Sequence, residues 1–277
     1  MIRVLSKVMR FARRWREIVG SYVEGGAFCH ACGFVGKRSH RNAMWPGLVA
    51  EWELDADWAR WMDQREGTCC VWCRANLRSD QMAEAILKVL QQQCGVTAKS
   101  LADAFSKSVV QRLAVAEINS AGNLHQHLAR CPGLRYSEYG GRRSGVPSEN
   151  LLALSYADAQ FDLVLTSDTL EHVPDVDQAL RETLRVLKPG GTHVMSVPIV
   201  WPRATRQRAE LRDGELHHLL PPSYHGVSDQ GKQDFLVFYE FGADFVNRCT
   251  AVGFAVEVLR SETNPALVTI LARRPRA

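Results

Sequence analysis

The 277-residue sequence lacks any long apolar run, and this argues against membrane-spanning helices. No stretch approaches the roughly 18 apolar residues that a spanning helix needs. The basic N-terminus is not followed by an uninterrupted apolar core and a small-residue cleavage site, so no signal peptide is expected. Hydrophobic residues make up 46% and charged residues 23%, as in ordinary soluble proteins, and we expect a cytoplasmic location.

The sequence also lacks an excess of basic charge in its second part. Residues 1–100 contain 15 Lys and Arg against 10 Asp and Glu, whereas the remainder contains 19 against 20. Beyond residue 16 there is no dense interleaving of basic and aromatic residues, so a nucleic-acid partner is less favoured. Residues 1–20 show helical spacing of apolar residues with arginines around them. Such a helix either packs on the domain beneath it or makes peripheral contact with an anionic membrane surface.

Eight cysteines in a chain expected to be cytoplasmic favour metal ligands or buried thiols over disulfides. Two CxxC pairs are separated by 37 residues: Cys29 with Cys32, and Cys70 with Cys73. Their four thiolates predict a closed, structural Zn²⁺ site in a small zinc-ribbon-like module, with Cys69 as an alternative ligand to Cys70. The interval between the pairs contains four candidate core residues: Trp45, Trp52, Trp58 and Trp61.

The second half of the chain is organised around residues 161–198. Residues 163–165 are apolar and uncharged, as in a strand buried on both faces. Asp175 can cap a helix with regularly spaced apolar residues, and Pro-Gly-Gly at 189–191 is expected to stop it. Residues 193–197 return as a second strand, which predicts a parallel sheet with a right-handed crossover.

Within this stretch, Asp-Leu-Val-Leu, Leu-Glu-His-Val-Pro-Asp and Arg-Val-Leu-Lys-Pro-Gly-Gly follow one another in order. This order resembles the second half of a class I S-adenosylmethionine-dependent methyltransferase of the type 11-like group. The resemblance covers about residues 110–277 and implies an α/β, Rossmann-like, seven-stranded sheet with a C-terminal antiparallel hairpin. One of the seven is a short strand expected, with its following loop, within residues 148–156. It implies a methyltransferase domain at 101–277 with a substrate-loop insertion at about 199–236. Residues 1–100 would hold the basic helix, the zinc module and a connecting helix.

By the same resemblance, the S-adenosyl-L-methionine site is expected at the carboxyl ends of the first strands. Asn119, Ala121 and Asn123 stand where this family commonly has glycines, and asparagine tolerates positive φ. Glu138 matches the acidic residue that accepts hydrogen bonds from the ribose hydroxyls. The expected cofactor-binding residues are Glu117, Asn119, Ala121, Gly122, Glu138, Asn150, Leu151 and Ser167.

Methyl transfer from a sulfonium needs alignment, and also proton removal where the acceptor atom is oxygen or nitrogen. His172 follows the apolar strand predicted around residues 163–165 and is the first choice for a general base, and His225 is the second. Asp168 is expected to orient the cofactor or the acceptor. The three histidines at 217, 218 and 225 predict either an acid/base cluster or a packed loop. The expected catalytic residues are His172, His225 and Asp168, and the expected substrate-binding residues are Glu171, His218 and Tyr224.

Three functions are consistent with these patterns. The leading one is a methyltransferase acting on a small molecule or on a sugar of a surface glycan or glycolipid. The second is an RNA methyltransferase that uses the zinc module to bind RNA. The third is a non-catalytic interaction protein, because the glycines of the cofactor loop are mostly replaced. No pattern indicates an oligomeric state.

Overall fold

The computed structural model describes residues 26–141, 144–201, 203–225 and 235–276. The predicted basic helix at 1–20, with its predicted membrane contact, lies outside the described residues. Within the described ranges, no helix combines the length and apolar character needed to cross a membrane.

The described residues form short elements at the N-terminal end and longer ones in the second half. The helices are α1 Pro46–Glu51, α2 Ala56–Gly67, α3 Leu77–Cys94, α4 Leu101–Ala104, α5 Ser108–Gln111, α6 His125–Leu128, α7 Val176–Val186 and α8 Phe245–Val252. The strands are β1 Ala27–Phe28, β2 Val35–Gly36, β3 Arg38–His40, β4 Thr68–Cys70, β5 Val115–Ile118, β6 Leu134–Ser137, β7 Phe161–Ser167, β8 Leu187–Ser196, β9 Arg206–Gln207, β10 Ala209–Arg212, β11 Glu215–His218, β12 Tyr239–Glu240, β13 Ala255–Arg260 and β14 Val268–Arg273.

A six-stranded mixed sheet in the order β13-β14-β8-β7-β5-β6 forms the centre of the molecule. Strands β5 to β8 pair in parallel, and β14 pairs antiparallel with both β8 and β13. Every residue of β5 is buried, as expected for a strand covered on both faces. The predicted α/β fold with a C-terminal antiparallel hairpin is therefore confirmed.

The predicted seventh strand, at about residues 148–156, is not formed in the described part of the chain. This segment makes only two isolated bridges, one between Glu138 and Ser148 and one between Asn150 and Ala153. Its polar side chains bond locally instead: Asn150 Oδ1 accepts from the Leu152 N–H at 3.0 Å. Side chains that satisfy the backbone in this way compete with a strand ladder.

Helix α7 begins where the sequence predicts, at the Asp175 cap, whose Oδ1 accepts from the Gln178 N–H at 2.9 Å. Its end differs from the prediction, because β8 begins directly at Leu187 and residues 189–191 lie inside that strand. Gly190 has φ +83° there, and a Cβ on Gly191 would meet the Lys188 carbonyl oxygen at 2.9 Å. The glycines thus permit an irregular strand start, beside the register shift between Phe161 and Leu163.

Replacing Asp175 by alanine should lower the free energy of unfolding by about 1 kcal/mol, the usual cost of losing an N-cap side chain. Denaturant titration of the purified protein measures this value. The Asp175→Asn variant, which retains an acceptor oxygen, should stay close to the wild type. Equal losses in both variants would contradict a capping role.

Helix α3 covers one face of the central sheet, and the side chains between them form one hydrophobic core. Its start is set by Asn76, whose side chain accepts from the Ser79 N–H at 2.9 Å, and Gly95 ends it with φ +66°. The buried side chains of α3 that share this core are Met82, Ala85, Ile86, Val89 and Leu90. On the sheet their partners include Leu163, Leu165, Val194 and Leu271. No break in packing therefore marks the predicted boundary near residue 100.

The insertion after β8 is more regular than its sequence suggests. It contains the β10–β11 hairpin, and β9 pairs with β12 beyond it. Arg208, which is 2% exposed, forms an ion pair with Glu240, and Arg203 donates to the Trp52 carbonyl oxygen at 2.7 Å. The arginines of the insertion thus bind it to the N-terminal region. Trp52 and Trp58 of that region share a small core with Val200 and Val237.

Candidate active site

A cavity of about 960 Å³ opens at the carboxyl ends of β5, β6 and β7. This is where open α/β sheets bind their ligands, and the volume lies at the upper end of the roughly 300–1,000 Å³ typical of ligand pockets. Four parts of the chain line it: the strand ends with the residues that follow them, the segment 149–152, the insertion, and the N-terminal region between Ala43 and Arg78. The N-terminal region therefore supplies one wall of the cavity.

The turn after β5 keeps a shape suited to a cofactor despite its missing glycines. Asn119 adopts φ +57° and Gly122 adopts φ +62°. The Asn119 side chain accepts from the Tyr139 N–H at 2.9 Å, which ties this turn to the one after β6. Asparagine enters the left-handed region more readily than other residues with side chains, as the sequence prediction required.

Five of the eight predicted cofactor-binding residues line the cavity: Asn119, Glu138, Asn150, Leu151 and Ser167. The other three, Glu117, Ala121 and Gly122, are not among its lining residues. Glu117 is fully buried; it accepts from the Ala121 N–H at 2.8 Å and pairs with His125 Nδ1 at 2.6 Å. Burial raises the pKa of Glu117, and its contacts hold the turn from below.

A buried ion pair joins the N-terminal region to the end of β7. Both guanidinium nitrogens Nη1 and Nη2 of Arg65, on α2, donate to Asp168, at 2.8 and 2.7 Å. Ser196 Oγ donates to Asp168 at 2.9 Å, and Arg78 Nε lies 3.3 Å from it. Burial would raise the pKa of Asp168, but Arg65 and Arg78 outweigh it and hold that pKa well below its ordinary value. Asp168 is therefore an anion with both oxygens engaged.

Asp168 thus connects the end of β7 to the N-terminal region through Arg65. Sequence reasoning missed Arg65, Glu66 and Arg78, all of which line the cavity. Arg65 and Asp168 are 103 positions apart, and nothing in the local pattern of α2 pairs them. The only sequence signal is an arginine placed among the apolar positions of a tryptophan-containing helix.

The part of the cavity between the end of β7 and the insertion, which we call the acceptor half because the acceptor is expected there, contains one carboxyl group and two imidazoles. His172 Nδ1 donates to the Leu236 carbonyl oxygen at 3.0 Å, and its Nε2 lies 3.8 Å from Glu171 Oε1. The His172 and His225 ring centroids are 5.5 Å apart. Burial lowers the pKa of His172, and burial together with His172 lowers the pKa of His225 to about 3. Burial and the charge of Asp168 raise the pKa of Glu171 well above its ordinary value.

Apolar side chains surround this half of the cavity. Trp52 contacts His225 with 4.9 Å between ring centroids and a tilt of 34° between the rings, and Leu211 and Phe235 line the cavity while partly exposed. The other two predicted substrate residues lie elsewhere. His218 is exposed on β11, and Tyr224 forms a backbone bridge with Leu236 without lining the cavity. The predicted histidine cluster of 217, 218 and 225 does not form, because the hairpin carries the first two away.

The four cysteines of the two CxxC pairs converge, with all four Sγ atoms within 4.8 Å of one another. The two turns have the same construction: the Gly33 N–H donates to the Cys29 oxygen at 2.7 Å, and the Arg74 N–H donates to the Cys70 oxygen at 2.9 Å. Gly33 and Arg74 both have positive φ, +82° and +67°. This repetition presents each thiol pair in the same way toward a common centre.

Cys70, and not Cys69, belongs to this cluster. Cys69 Sγ points toward the Gly67 carbonyl oxygen at 3.8 Å. The predicted zinc-ribbon form is not confirmed, because the strands β1 to β4 are only two or three residues long and helices α1 and α2 lie between the turns.

Residues 94–195 match the family model described as a methyltransferase domain. Over 91 residues the chain is 36% identical to the ubiquinone/menaquinone biosynthesis C-methyltransferase UbiE of Pectobacterium carotovorum, covering 31% of this chain and 34% of that one. Over 140 residues it is 29% identical to the arginine-hydroxylase NDUFAF5 of Danio rerio, covering 47% and 39%. The structure of Burkholderia thailandensis 1,6-didemethyltoxoflavin-N1-methyltransferase, at 14% identity, gives a TM-score of 0.39 over 91% of this chain and 100% of that chain.

The chain spans only part of the curated relatives that it matches, from 14% of the Streptomyces halstedii methyltransferase GfsG to 39% of NDUFAF5. The matched family domain begins in α3 and ends in β8, and so includes the turn after β5 and the end of β7. Residues 94–195 are therefore similar to a methyltransferase domain, and this similarity, together with the α/β fold, supports an enzyme that uses S-adenosylmethionine.

Proposed function

We propose that the protein transfers the methyl group of S-adenosyl-L-methionine to a small molecule bound in the cavity. The observation that carries this proposal is the position of the cavity at the carboxyl ends of β5 to β7, within the matched methyltransferase domain. Asn119, Glu138, Asn150, Leu151 and Ser167 would hold the cofactor. Glu138 would accept from the ribose hydroxyls, as the sequence resemblance implies.

The acceptor is proposed to be largely apolar and without strong negative charge. The arginines Arg65 and Arg78 on the cavity wall are already paired with Asp168 and Glu66, so they offer little to a phosphate or carboxylate. The names of matched relatives, such as the quinone C-methyltransferase UbiE and the norajmaline N-methyltransferase of Rauvolfia serpentina, agree with small-molecule acceptors. A glycan or glycolipid acceptor fits if its apolar part meets the rim at Leu211 and Phe235.

His172 is the proposed group beside the reactive atom of the acceptor, with His225 next to it. Because Nδ1 of His172 donates to Leu236, its Nε2 keeps a lone pair in the acceptor half of the cavity. A neutral imidazole in that state can take a proton from the acceptor. Glu171 is close enough to contact the acceptor, whereas Asp168 positions the end of β7.

A structural Zn²⁺ ion is proposed for Cys29, Cys32, Cys70 and Cys73. Two Sγ–Sγ distances are 3.7 Å (Cys29 to Cys73) and 3.9 Å (Cys32 to Cys70). Four sulfurs about 2.3 Å from a tetrahedral ion lie about 3.8 Å apart, so these two distances agree with a shared zinc ion. The closed set of four thiolates leaves no position for substrate, and the ion would support the fold of the cavity wall.

Calorimetric titration with S-adenosylmethionine tests the proposal, and the Glu138→Gln variant tests the location of the site. Losing hydrogen bonds to a charged acceptor costs about 1.5–3 kcal/mol, so the affinity should fall by roughly 10- to 150-fold. Glu215→Gln, an exposed change on β11, is the matched control and should bind as the wild type does. If the wild type binds no cofactor at millimolar concentration, the enzyme function is rejected.

A further inference from the structure

We propose that Glu171, His172 and His225 form a second metal site, which binds a divalent first-row transition-metal ion at the acceptor end of the cavity. Each of the three residues offers one ligand atom, and these atoms all lie within 4.8 Å of one another. The site shares no residue with the cysteine cluster. It differs from that cluster in chemistry too, because its donors are two nitrogens and one oxygen.

The first argument is an unsatisfied carboxylate. Glu171 is 1% exposed, and its Oε2 has no hydrogen-bond partner among the described residues. Its Oε1 lies 3.8 Å from His172 Nε2, which is too far for a hydrogen bond. A carboxyl group buried in this way stays neutral or, where it is ionised, has to be paired or to coordinate a metal. Its potential co-ligands in the cluster are the imidazoles of His172 and His225.

The second argument is the arrangement of the two histidines. The Nδ1–H of His172 donates to the Leu236 carbonyl oxygen at 3.0 Å, which fixes the ring and leaves Nε2 as an acceptor. Metal-binding histidines almost always have such an outer partner on the second nitrogen. The Nε2 of His225 is also buried without a partner among the residues that the structure describes. Two imidazoles and one carboxyl group therefore converge, and neither Glu171 Oε2 nor His225 Nε2 has a hydrogen-bond partner among the described residues.

The third argument concerns the open side of the cluster. All three residues line the cavity, so an ion held by them would keep coordination positions facing the space for a ligand. Two histidines and one carboxylate with open positions are typical of catalytic transition-metal sites, whereas four closed thiolates are typical of structural zinc. A bound molecule with oxygen donors could complete the coordination. That this molecule is the methyl acceptor rests on the proposed function; the metal site itself does not.

With the ion bound, His172 would act as a ligand and not as a proton acceptor. The choice of ion follows from the donors, since imidazole suits zinc, copper, iron and nickel ions, whereas magnesium and calcium prefer oxygen ligands. We therefore use Co²⁺ as the probe, because its absorption bands distinguish ligands. Cobalt bound to thiolates shows intense sulfur-to-metal charge-transfer bands, and cobalt bound to nitrogen and oxygen shows only weaker d–d bands.

The experiment titrates Co²⁺ into the full-length protein after its zinc content has been measured, without cofactor or acceptor. We expect one equivalent of Co²⁺ with d–d bands and no thiolate charge-transfer band, and no competition from Mg²⁺. Losing one ligand should weaken binding by at least about 100-fold, beyond the roughly 10–100-fold cost of losing an outer partner. The variants are Glu171→Gln and His225→Gln, and the control is His217→Gln on the exposed hairpin.

Circular dichroism and thermal unfolding show whether each variant retains its fold. The inference is overturned if the wild type gives no nitrogen/oxygen-type cobalt spectrum, or if folded Glu171→Gln and His225→Gln both bind Co²⁺ as the wild type does. It is also overturned if His217→Gln loses the signal to the same extent. Because cobalt binding is read without methyl transfer, an inactive protein that binds cobalt would reject only the proposed function.

Discussion

Replacing Cys29 by serine is expected to remove the zinc ion and to unfold the N-terminal half of the protein. Cys29 is buried, and its Sγ is 3.7 Å from that of Cys73 at the centre of the cluster. Structural zinc contributes an apparent 10–16 kcal/mol or so in small domains, which is comparable to the roughly 5–15 kcal/mol stability of a whole domain. Elemental analysis of the purified variant should find no zinc, and its thermal unfolding should begin well below that of the wild type.

Cys69→Ser is the matched control for this change. Cys69 adjoins Cys70 in sequence, is partly buried, and lies outside the cluster of four thiols. Its replacement should leave one zinc per chain and shift the unfolding midpoint by only a few degrees, as a change of about 1 kcal/mol would. A Cys29→Ser protein that retains one zinc and unfolds as the wild type does would contradict the zinc proposal.

The second large effect is expected from Arg65→Met. Arg65 is 2% exposed and makes two hydrogen bonds to Asp168, so its loss leaves a largely buried carboxylate with only Arg78 and Ser196 as partners. Removing one member of a buried ion pair typically costs about 3–5 kcal/mol. Because Asp168 lies at the end of β7 and lines the cavity, cofactor affinity should fall together with stability. Denaturant titration and calorimetry measure the two losses on the same sample.

Two further variants show whether the stability lost in Arg65→Met comes from an unpaired charge or from lost packing. Arg60→Met removes an exposed partner of Asp57 on the same helix, with the Arg60 side chain 57% exposed, and should change stability by no more than about 1 kcal/mol. The double variant Arg65→Met/Asp168→Asn leaves no unpaired anion, so it should recover part of the stability lost in Arg65→Met. If the double variant loses as much stability as Arg65→Met and Asp168→Asn lose separately, added together, the charge argument is wrong.

Local patterns in the sequence were sufficient for much of this fold. Alternating strands and one capped helix predict the parallel sheet, because hydrophobic spacing and cap residues act over a few positions. The two CxxC pairs predict the cysteine cluster, because ligand spacing within each pair is also local. The segment at 148–156 was predicted wrongly, since side-chain bonds of Asn150 and Glu149 compete with strand pairing in a way that a hydrophobic pattern does not show.

The site was predicted less completely than the fold. His172 and Glu171 follow a predicted strand, so their place at the cavity could be expected, and His225 could be proposed only as one of three histidines. The Arg65–Asp168 pair joins positions 103 residues apart, and only the packing of α2 against α3 and against the small core around Val200 and Val237 brings them together. The replacement of family glycines by Asn119 suggested a weakened loop, whereas the structure retains the turn with Asn119 at φ +57°.

Helix α3 has one more consequence, for how the chain can be divided. Leu163, Leu165, Val194 and Leu271 on the sheet are covered by the apolar face of this helix. A fragment that starts near residue 100 would present these side chains to water as a contiguous apolar surface, the kind of patch that drives aggregation. The region that holds the four-cysteine cluster is therefore not a separable part of the protein. The apolar face of α3 is buried only when the later strands have formed, and the strands in turn need α3 to cover their apolar side chains.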